Sequence, residues 1–163
     1  MTFFMRRVVL VTGSQLWKDR NVIYEVLEEN LEEIESDEGV GMELHHGKSR
    51  GADTIADDWA YEKNKETPGR IKVVEFPANW QNCSHACGSK YDTHKKRNSI
   101  GILYCPTAGY RRNAYMVSFG AWRCLAFILD CSRGSTHCAE LADKYGIPVV
   151  PYRQGRLPAD SAR

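Results

Sequence analysis

The sequence predicts a Rossmann-like α/β domain: a doubly wound, mainly parallel sheet with helices on both faces and a cysteine- and histidine-bearing insertion. Three observations predict it. Short β-branched runs alternate with amphipathic helical stretches, several of the runs stop at glycine, and loops of small residues stand between strand and following helix. Strands that alternate with helices need crossover connections, and crossovers produce parallel pairing with helices on both faces.

Arg7-Val8-Val9-Leu10-Val11-Thr12, closed by Gly13, has the apolar run of a strand buried on both sides. From Asn21 to Ser36, Val22, Val26, Leu27, Leu31 and Ile34 recur at helical spacing between glutamates that form the solvated face. Met42 to His46 reads as a second strand stopped by Gly47, and a helix follows from about Thr54 to Asn64. Ile71 to Phe76 is the third strand, and Pro77-Ala78-Asn79-Trp80 turns the chain out of it. No period is visible over about 81–110, so this span reads as an insertion with a functional or metal-tied role. A helix from about Arg112 to Gly120, a fourth strand from Arg123 to Leu129 and a helix from about His137 to Tyr145 come next. Gly146 ends that helix, and Ile147 to Val150 is the last strand, where Pro148 suits a strand start or an edge. The domain is expected over 1–153, with a polar tail over 154–163.

With 163 residues, 42% hydrophobic and 26% charged, the chain has the size and composition of one globular domain. Lys plus Arg (22) balances Asp plus Glu (21), which leaves no positive field to hold nucleic acid or an anionic membrane. No stretch approaches the roughly 20 apolar residues of a membrane span, and Val8 to Val11 is too short for a signal segment. A cytoplasmic protein is expected. In a reducing compartment its six cysteines point to metal ligands or buried thiols before disulfides.

In a doubly wound sheet, ligands bind beyond the carboxyl ends of the strands, where helix N-termini present unpaired N–H groups. Three loops fall there: Gly13-Ser14, Gly47-Lys48-Ser49-Arg50-Gly51-Ala52-Asp53, and Ser132-Arg133-Gly134-Ser135-Thr136. One glycine after a strand is most simply a turn; three such loops on one rim indicate an anionic ligand. None matches G-x-G-x-x-G or the phosphate loop of NTPases, which argues against a P-loop enzyme. Asp53 reads equally as an N-cap or a ligand contact. Arg111 and Arg112 follow Gly109 at an expected helix start, where cations oppose the helix dipole. A bound phosphate or carboxylate would relieve that, which makes Arg112 the anion clamp.

In order along the chain stand Val11-Thr12-Gly13-Ser14 with Trp17 and Asp19, then His46-Gly47 with Arg50-Gly51-Ala52-Asp53-Thr54, Ala56 and Trp59-Ala60. Phe76-Pro77-Ala78-Asn79-Trp80, Arg112-Asn113 with Met116, Ala126-Phe127, Ser132-Arg133-Gly134 and Gly146-Ile147-Pro148-Val149 follow. From Val8 to Val150 this series resembles the SLOG superfamily of Rossmann-like ligand-binding domains, in the branch related to bacterial YspA and YpsA. The resemblance implies a nucleotide or nucleotide-derived ligand held by Gly13, Ser14, Gln15 and Trp17, by Gly47, Lys48, Ser49, Gly51, Ala52 and Asp53, by Arg112, Asn113 and Met116, and by Ser132, Arg133, Gly134, Ser135 and Thr136.

Two departures bear on activity. Gln15 stands where the family often has arginine, so one cationic contact is missing or replaced. Relatives of the Lonely Guy phosphoribohydrolases carry an arginine before a methionine motif and a glutamate just after a Gly-Thr loop. Arg112 with Met116 resembles the first element, but Thr136, His137 and Cys138 occupy the second, with Glu140 further along. Cleavage of a glycosidic bond needs a carboxylate beside an oxocarbenium-like sugar. Binding by a sensor, carrier or sequestering protein is therefore expected over catalysis; N-glycosidic hydrolysis is the alternative, with Arg112, Asp53, His137 and Glu140 as candidates. The resemblance further implies a homo-oligomer and a place in bacterial or phage signalling conflict, in defence or counter-defence. Tyr115, Phe119 and Trp122 are expected to pack in the core rather than form an interface stripe.

Within the insertion, Cys83, Cys87, His94 and Cys105 can form a Cys₃His zinc site, with His85 as a substitute ligand. A polar loop with incidental thiols is the plain alternative, but a span without apolar period needs something to order it, and zinc would. Similar cysteine-bearing insertions occur in a subset of the resembling family. Cys124, Cys131 and Cys138 read as core or loop residues.

Overall fold

The strand at the centre of the sheet is the one with the most apolar run. In the computed structural model, which describes residues 2–83, 87, 94–130 and 132–153, β1 (Met5–Gly13) buries Val9, Leu10 and Val11 completely. It pairs in parallel with β2 (Val40–His46) on one side, Val9 opposite Leu44, and with β6 (Arg123–Phe127) on the other, Val11 opposite Leu125. β3 (Ile71–Glu75) and β7 (Val149–Tyr152) complete a five-stranded sheet in the order β3-β2-β1-β6-β7. Every pairing in it is parallel.

Successive side chains point to opposite faces of a strand, so the sheet carries two cores. α1 (Arg20–Glu35) and α2 (Ala52–Glu66) cover one face, where Leu27 and Trp59 join a core with Val9, Val11 and Leu44. On the other face, Met116 of α3 (Ala108–Ser118) and Cys138 of α4 (Arg133–Lys144) form a core with Leu10 and Cys124. The order of the strands reverses between β1 and β6, and there the following chain segments diverge to opposite faces. That divergence opens a crevice at the strands' carboxyl ends.

Several boundaries differ from the sequence reading, and each difference moves a site residue. α2 starts at Ala52 with Gly51 as its cap, so Asp53 lies inside the first turn and does not cap the helix. α3 starts at Ala108, one turn earlier than expected, which places Arg111 and Arg112 past the helix start. The dipole argument for an anion at Arg112 therefore falls away. α4 starts at Arg133, so Gly134, Ser135 and Thr136 belong to its first turn rather than to a loop. The aperiodic span contains a short antiparallel hairpin of β4 (Lys96–Arg97) and β5 (Leu103–Tyr104), its turn closed by Asn98 Oδ1 accepting from the N–H groups of Ile100 and Ile102. Tyr115 and Phe119 are not core residues; they are 62% and 56% exposed beside Phe76, whereas Trp122 is partly buried under the Arg123 guanidinium. The polar tail and Cys131 lie outside the described residues. No helix among the described residues is long and apolar enough to cross a membrane.

Gly13 is where the fold is tightest. A Cβ there would overlap the Ala52 Cβ and stand 2.8 Å from the Phe127 carbonyl oxygen. Gly13→Ala should consequently lower stability to urea by roughly 1–3 kcal/mol. Gly134→Ala, which meets nothing within 4 Å, should stay within about 0.5 kcal/mol of the parent in the same measurement.

Candidate ligand cleft and metal centre

Beyond the ends of β1 and β6 lies a cavity of about 460 Å³, within the range of small-molecule sites. Its first wall is the turn after β1. Ser14 donates its N–H to the Phe127 carbonyl at 2.9 Å, accepts the Leu129 N–H on Oγ at 2.7 Å, and offers its own carbonyl to the N–H groups of Ala52 and Trp17. One residue thus ties β1 to β6 and to α2. Gly13, Ser14 and Gln15 line the cavity as expected, joined by the exposed Leu16. Trp17 does not: it is 2% exposed, meets Phe127 edge-on at 5.5 Å and donates Nε1–H to the Asp19 carbonyl. Its indole supports the turn from beneath.

The second loop divides between the cleft and its surroundings. Gly51 takes φ +76°, a conformation that favours glycine, beneath the Ser14 carbonyl. Gly47, Ser49 and Asp53 face the cavity, Ala52 is buried under Gly13, and Lys48 turns outward to pair with Glu75. Asp53 is 4% exposed. Its Oδ2 accepts the Ser49 N–H at 3.1 Å, while its Oδ1 has no hydrogen-bond partner among the described residues. Burial raises its pKa, against the opposing pull of His46, Arg112 and the loop amides.

α3 supplies the opposing charge. The partly buried Arg112 donates from Nη1 to the carbonyls of Gly47 and Phe76 and from Nε to Asn113 Oδ1. No carboxylate among the described residues lies within salt-bridge distance of it, and burial lowers its pKa although Asp53 raises it. Asn113 in turn donates Nδ2–H to the Gly134 carbonyl at 3.0 Å, which fastens α3 to the start of α4. Met116 forms buried floor. From α4, Ser132, Gly134 and Ser135 face the cleft with the open amides of a helix start, and the two serine hydroxyls bond each other.

Not every expected residue converges. Arg133 and Thr136 are exposed and do not line the cavity. His137 sits behind the wall, its ring 4.6 Å from that of Tyr110 and Nδ1 3.3 Å from Asn113 Nδ2, with burial lowering its pKa. Glu140 is exposed on α4, outside the cavity lining. Of the four catalytic candidates, only Arg112 and Asp53 reach the cleft. Sequence reasoning missed Trp80 and Tyr110, which also line it. An aromatic residue just past the strand-ending Phe76-Pro77 was the available signal for Trp80; Tyr110 had none.

Beside this cleft the insertion brings its ligating residues together. Donor atoms of Cys83, Cys87, His94 and Cys105 all lie within 4.8 Å of one another. His94 Nε2 is 3.2 Å from both Cys83 Sγ and Cys105 Sγ, and Cys87 Sγ is 3.8 Å from Cys105 Sγ. A tetrahedron with zinc–ligand bonds of about 2.0–2.3 Å spaces its corners roughly 3.5–3.8 Å apart, so the quartet fits such an ion. Burial alone would raise the Cys105 thiol, but hydrogen bonds from Thr107, Arg111 and His94 outweigh it and bring it down to about 5. The thiolate is the form that ligates metal. His85 lies outside the described residues. By contrast, burial raises the thiols of Cys124 and Cys138, the latter to about 11, as suits core residues.

A family model described as YAcAr, the YspA, cpYpsA-related SLOG family, matches residues 7–83, from β1 through the first two cleft loops to the first cysteine of the quartet. The chain is also similar to the "Gene 61 protein" of Mycobacterium phage D29, with 37% identity over 148 residues that span 91% of this chain and 97% of that protein. No solved structure matches it.

The raised pKa of Asp53 has a sign that can be measured. Its folded value lies above the ordinary 3.8, so the folded protein holds this proton to higher pH than the unfolded chain does. The stability contribution is full below the unfolded value and is lost as pH rises through the folded one. Asp53→Asn removes this titration. In urea unfolding at a series of pH values, the variant should gain on the parent as pH rises from below 3.8 to neutrality; a flat difference would show that the carboxyl is not perturbed.

Proposed function

Because the chain belongs to the YspA, cpYpsA-related SLOG family, we propose that it binds a nucleotide or nucleotide-derived small molecule in the cleft at the ends of β1 and β6, as a sensor, carrier or sequestering protein. The main support is a pair of ionisable residues that line one cavity: Asp53, whose Oδ1 atom lacks a hydrogen-bond partner among the described residues, and Arg112, whose guanidinium has no carboxylate within salt-bridge distance among them. Leaving a polar group buried and unpaired costs about 1–3 kcal/mol, a cost that a ligand hydroxyl on Asp53 offsets. A sugar supplies such a donor. A phosphate suits the α4 amides and the Ser132 and Ser135 hydroxyls, with the positive charge of Arg112 on the same cavity wall. Gly13, Ser14, Gln15, Gly47, Ser49, Asn113, Met116 and Gly134 shape the same enclosure.

The relative in a phage and the family's occurrence in conflict systems support a role in signalling or counter-signalling between phage and host. A cytoplasmic location belongs to the same proposal, because a reducing compartment keeps such cysteines as metal-binding thiols. The exposed Tyr115 and Phe119, which meet Phe76 edge-on and tilted, support self-association as a homo-oligomer through that face.

Hydrolysis of an N-glycosidic bond is the second reading, and the raised pKa of Asp53 favours it, since a carboxyl so placed could exchange a proton with a leaving base. The two readings separate on incubation of the purified protein with nucleotides, cyclic and ADP-ribose-derived ones included, followed by denaturation and chromatography. The binding reading expects intact nucleotide, with affinity lowered about ten- to a hundredfold by Arg112→Ala; released free base establishes the hydrolase instead.

Zinc is the proposed occupant of Cys83, Cys87, His94 and Cys105, where it would supply structural order through four ligand bonds. Protein purified without chelator should carry about one equivalent of zinc by elemental analysis. Cys105→Ser should lose most of it, and zinc content near zero in the parent would refute the assignment.

A further inference from the structure

Resting on the nucleotide-binding reading above, we infer that the metal quartet holds the wall of the cleft that recognises the base: Trp80 and Tyr110, both positioned through Cys105, stack against a planar ring of the ligand. Trp80 is 41% exposed and lines both the main cavity and the adjoining depression formed by Gln15, Lys48 and Arg50. Tyr110 is 39% exposed in the first turn of α3 and lines the main cavity too. Each is half-open on the cavity side and fixed on its other side, as a stacking surface must be. The indole lies across Gly109, where a Cβ would come within 3.0 Å of its Cη2, and meets Tyr104 edge-on. The Tyr110 ring is held edge-on by His137 at 4.6 Å.

What sets both rings is one ligating residue. Cys105 is fully buried, donates its backbone N–H to the Trp80 carbonyl, and accepts the Ala108 N–H that begins α3. Its sulfur is one corner of the quartet and also accepts from Arg111, whose Nη2 reaches the Asn82 carbonyl beside the first cysteine. A metal ion at the quartet therefore fixes the backbone from which the indole hangs and the helix turn that carries the phenol. Asp53 and the start of α4 belong to the elements that flank the sheet, and Arg112 lies in α3 beyond the turn that begins at Ala108. Sugar-phosphate binding is thus separable from base recognition, and only the second depends on metal. By linkage, a nucleotide that uses this wall must also tighten metal binding.

Calorimetry on the full-length, zinc-loaded protein tests this with ribose 5-phosphate and with AMP, GMP, CMP and UMP in turn. The tightest nucleotide should bind at least about tenfold better than ribose 5-phosphate, as base–aromatic stacking provides. Trp80→Ala should collapse that ratio toward one, and so should removal of zinc by a chelator; Gly109→Ala, which displaces the indole without truncating it, should reduce the ratio as well. Equal binding of nucleotide and sugar phosphate by the parent overturns the inference, as does a ratio that survives either Trp80→Ala or zinc removal, while the nucleotide-binding reading stands. Failure of every probe to bind refutes that reading, and this inference with it.

Discussion

The junction of the β1 end with the start of α2 and the end of β6 is the constraint on which the rest of the site depends. Gly13 has no side chain because Ala52 and the Phe127 carbonyl occupy the space one would need. One residue on, Ser14 satisfies backbone groups from three directions, joining Phe127, Leu129, Ala52 and Trp17 to one turn. Backbone groups that would otherwise be buried unpaired are thereby all engaged. Through these bonds the junction sets the separation between the amide-rich turn of the second loop and the segment that leads to α4. The cleft between them is a consequence of that separation.

Within this frame the chain keeps charge where burial opposes it. Asp53 and Arg112 both sit at the carboxyl end of the sheet, and burial pushes each toward its neutral form. A chain shaped only for stability would replace such groups by apolar ones. Arg112 has a structural task as well, since its Nη1 joins the carbonyl of Gly47, after β2, to that of Phe76, after β3. One guanidinium thus gathers two strand ends and faces the cleft, with Asn113 relaying its position to α4.

The cysteine–histidine quartet extends the same logic into a span that has no apolar period of its own. Four donors gathered around one point can do for the insertion what packed side chains do for the sheet. Arg111 and Arg112, adjacent on α3, then serve different neighbours: one donates to the Cys105 sulfur and the other lines the cleft. α3 is the element through which the two regions meet.

Much of this was legible in the residues taken in order. Short β-branched apolar runs and stretches of period 3.6 identified the strands and helices, glycines marked strand ends, and cysteine and histidine placement picked out Cys83, Cys87, His94 and Cys105. These are local properties of spacing and chemistry. Helix starts were legible only to within a turn, because Gly109 and Gly134 read as breakers. In the fold, Gly109 sits inside α3 where the Trp80 ring passes, and α4 begins through Ser132 before Gly134 is reached. Side-chain direction was not legible at all. Trp17 turns inward under Phe127, Glu140 stays outside the cavity, and Trp80 and Tyr110 reach into it. Tertiary structure decided those directions, because each depends on a partner distant in sequence that occupies or vacates the space beside it.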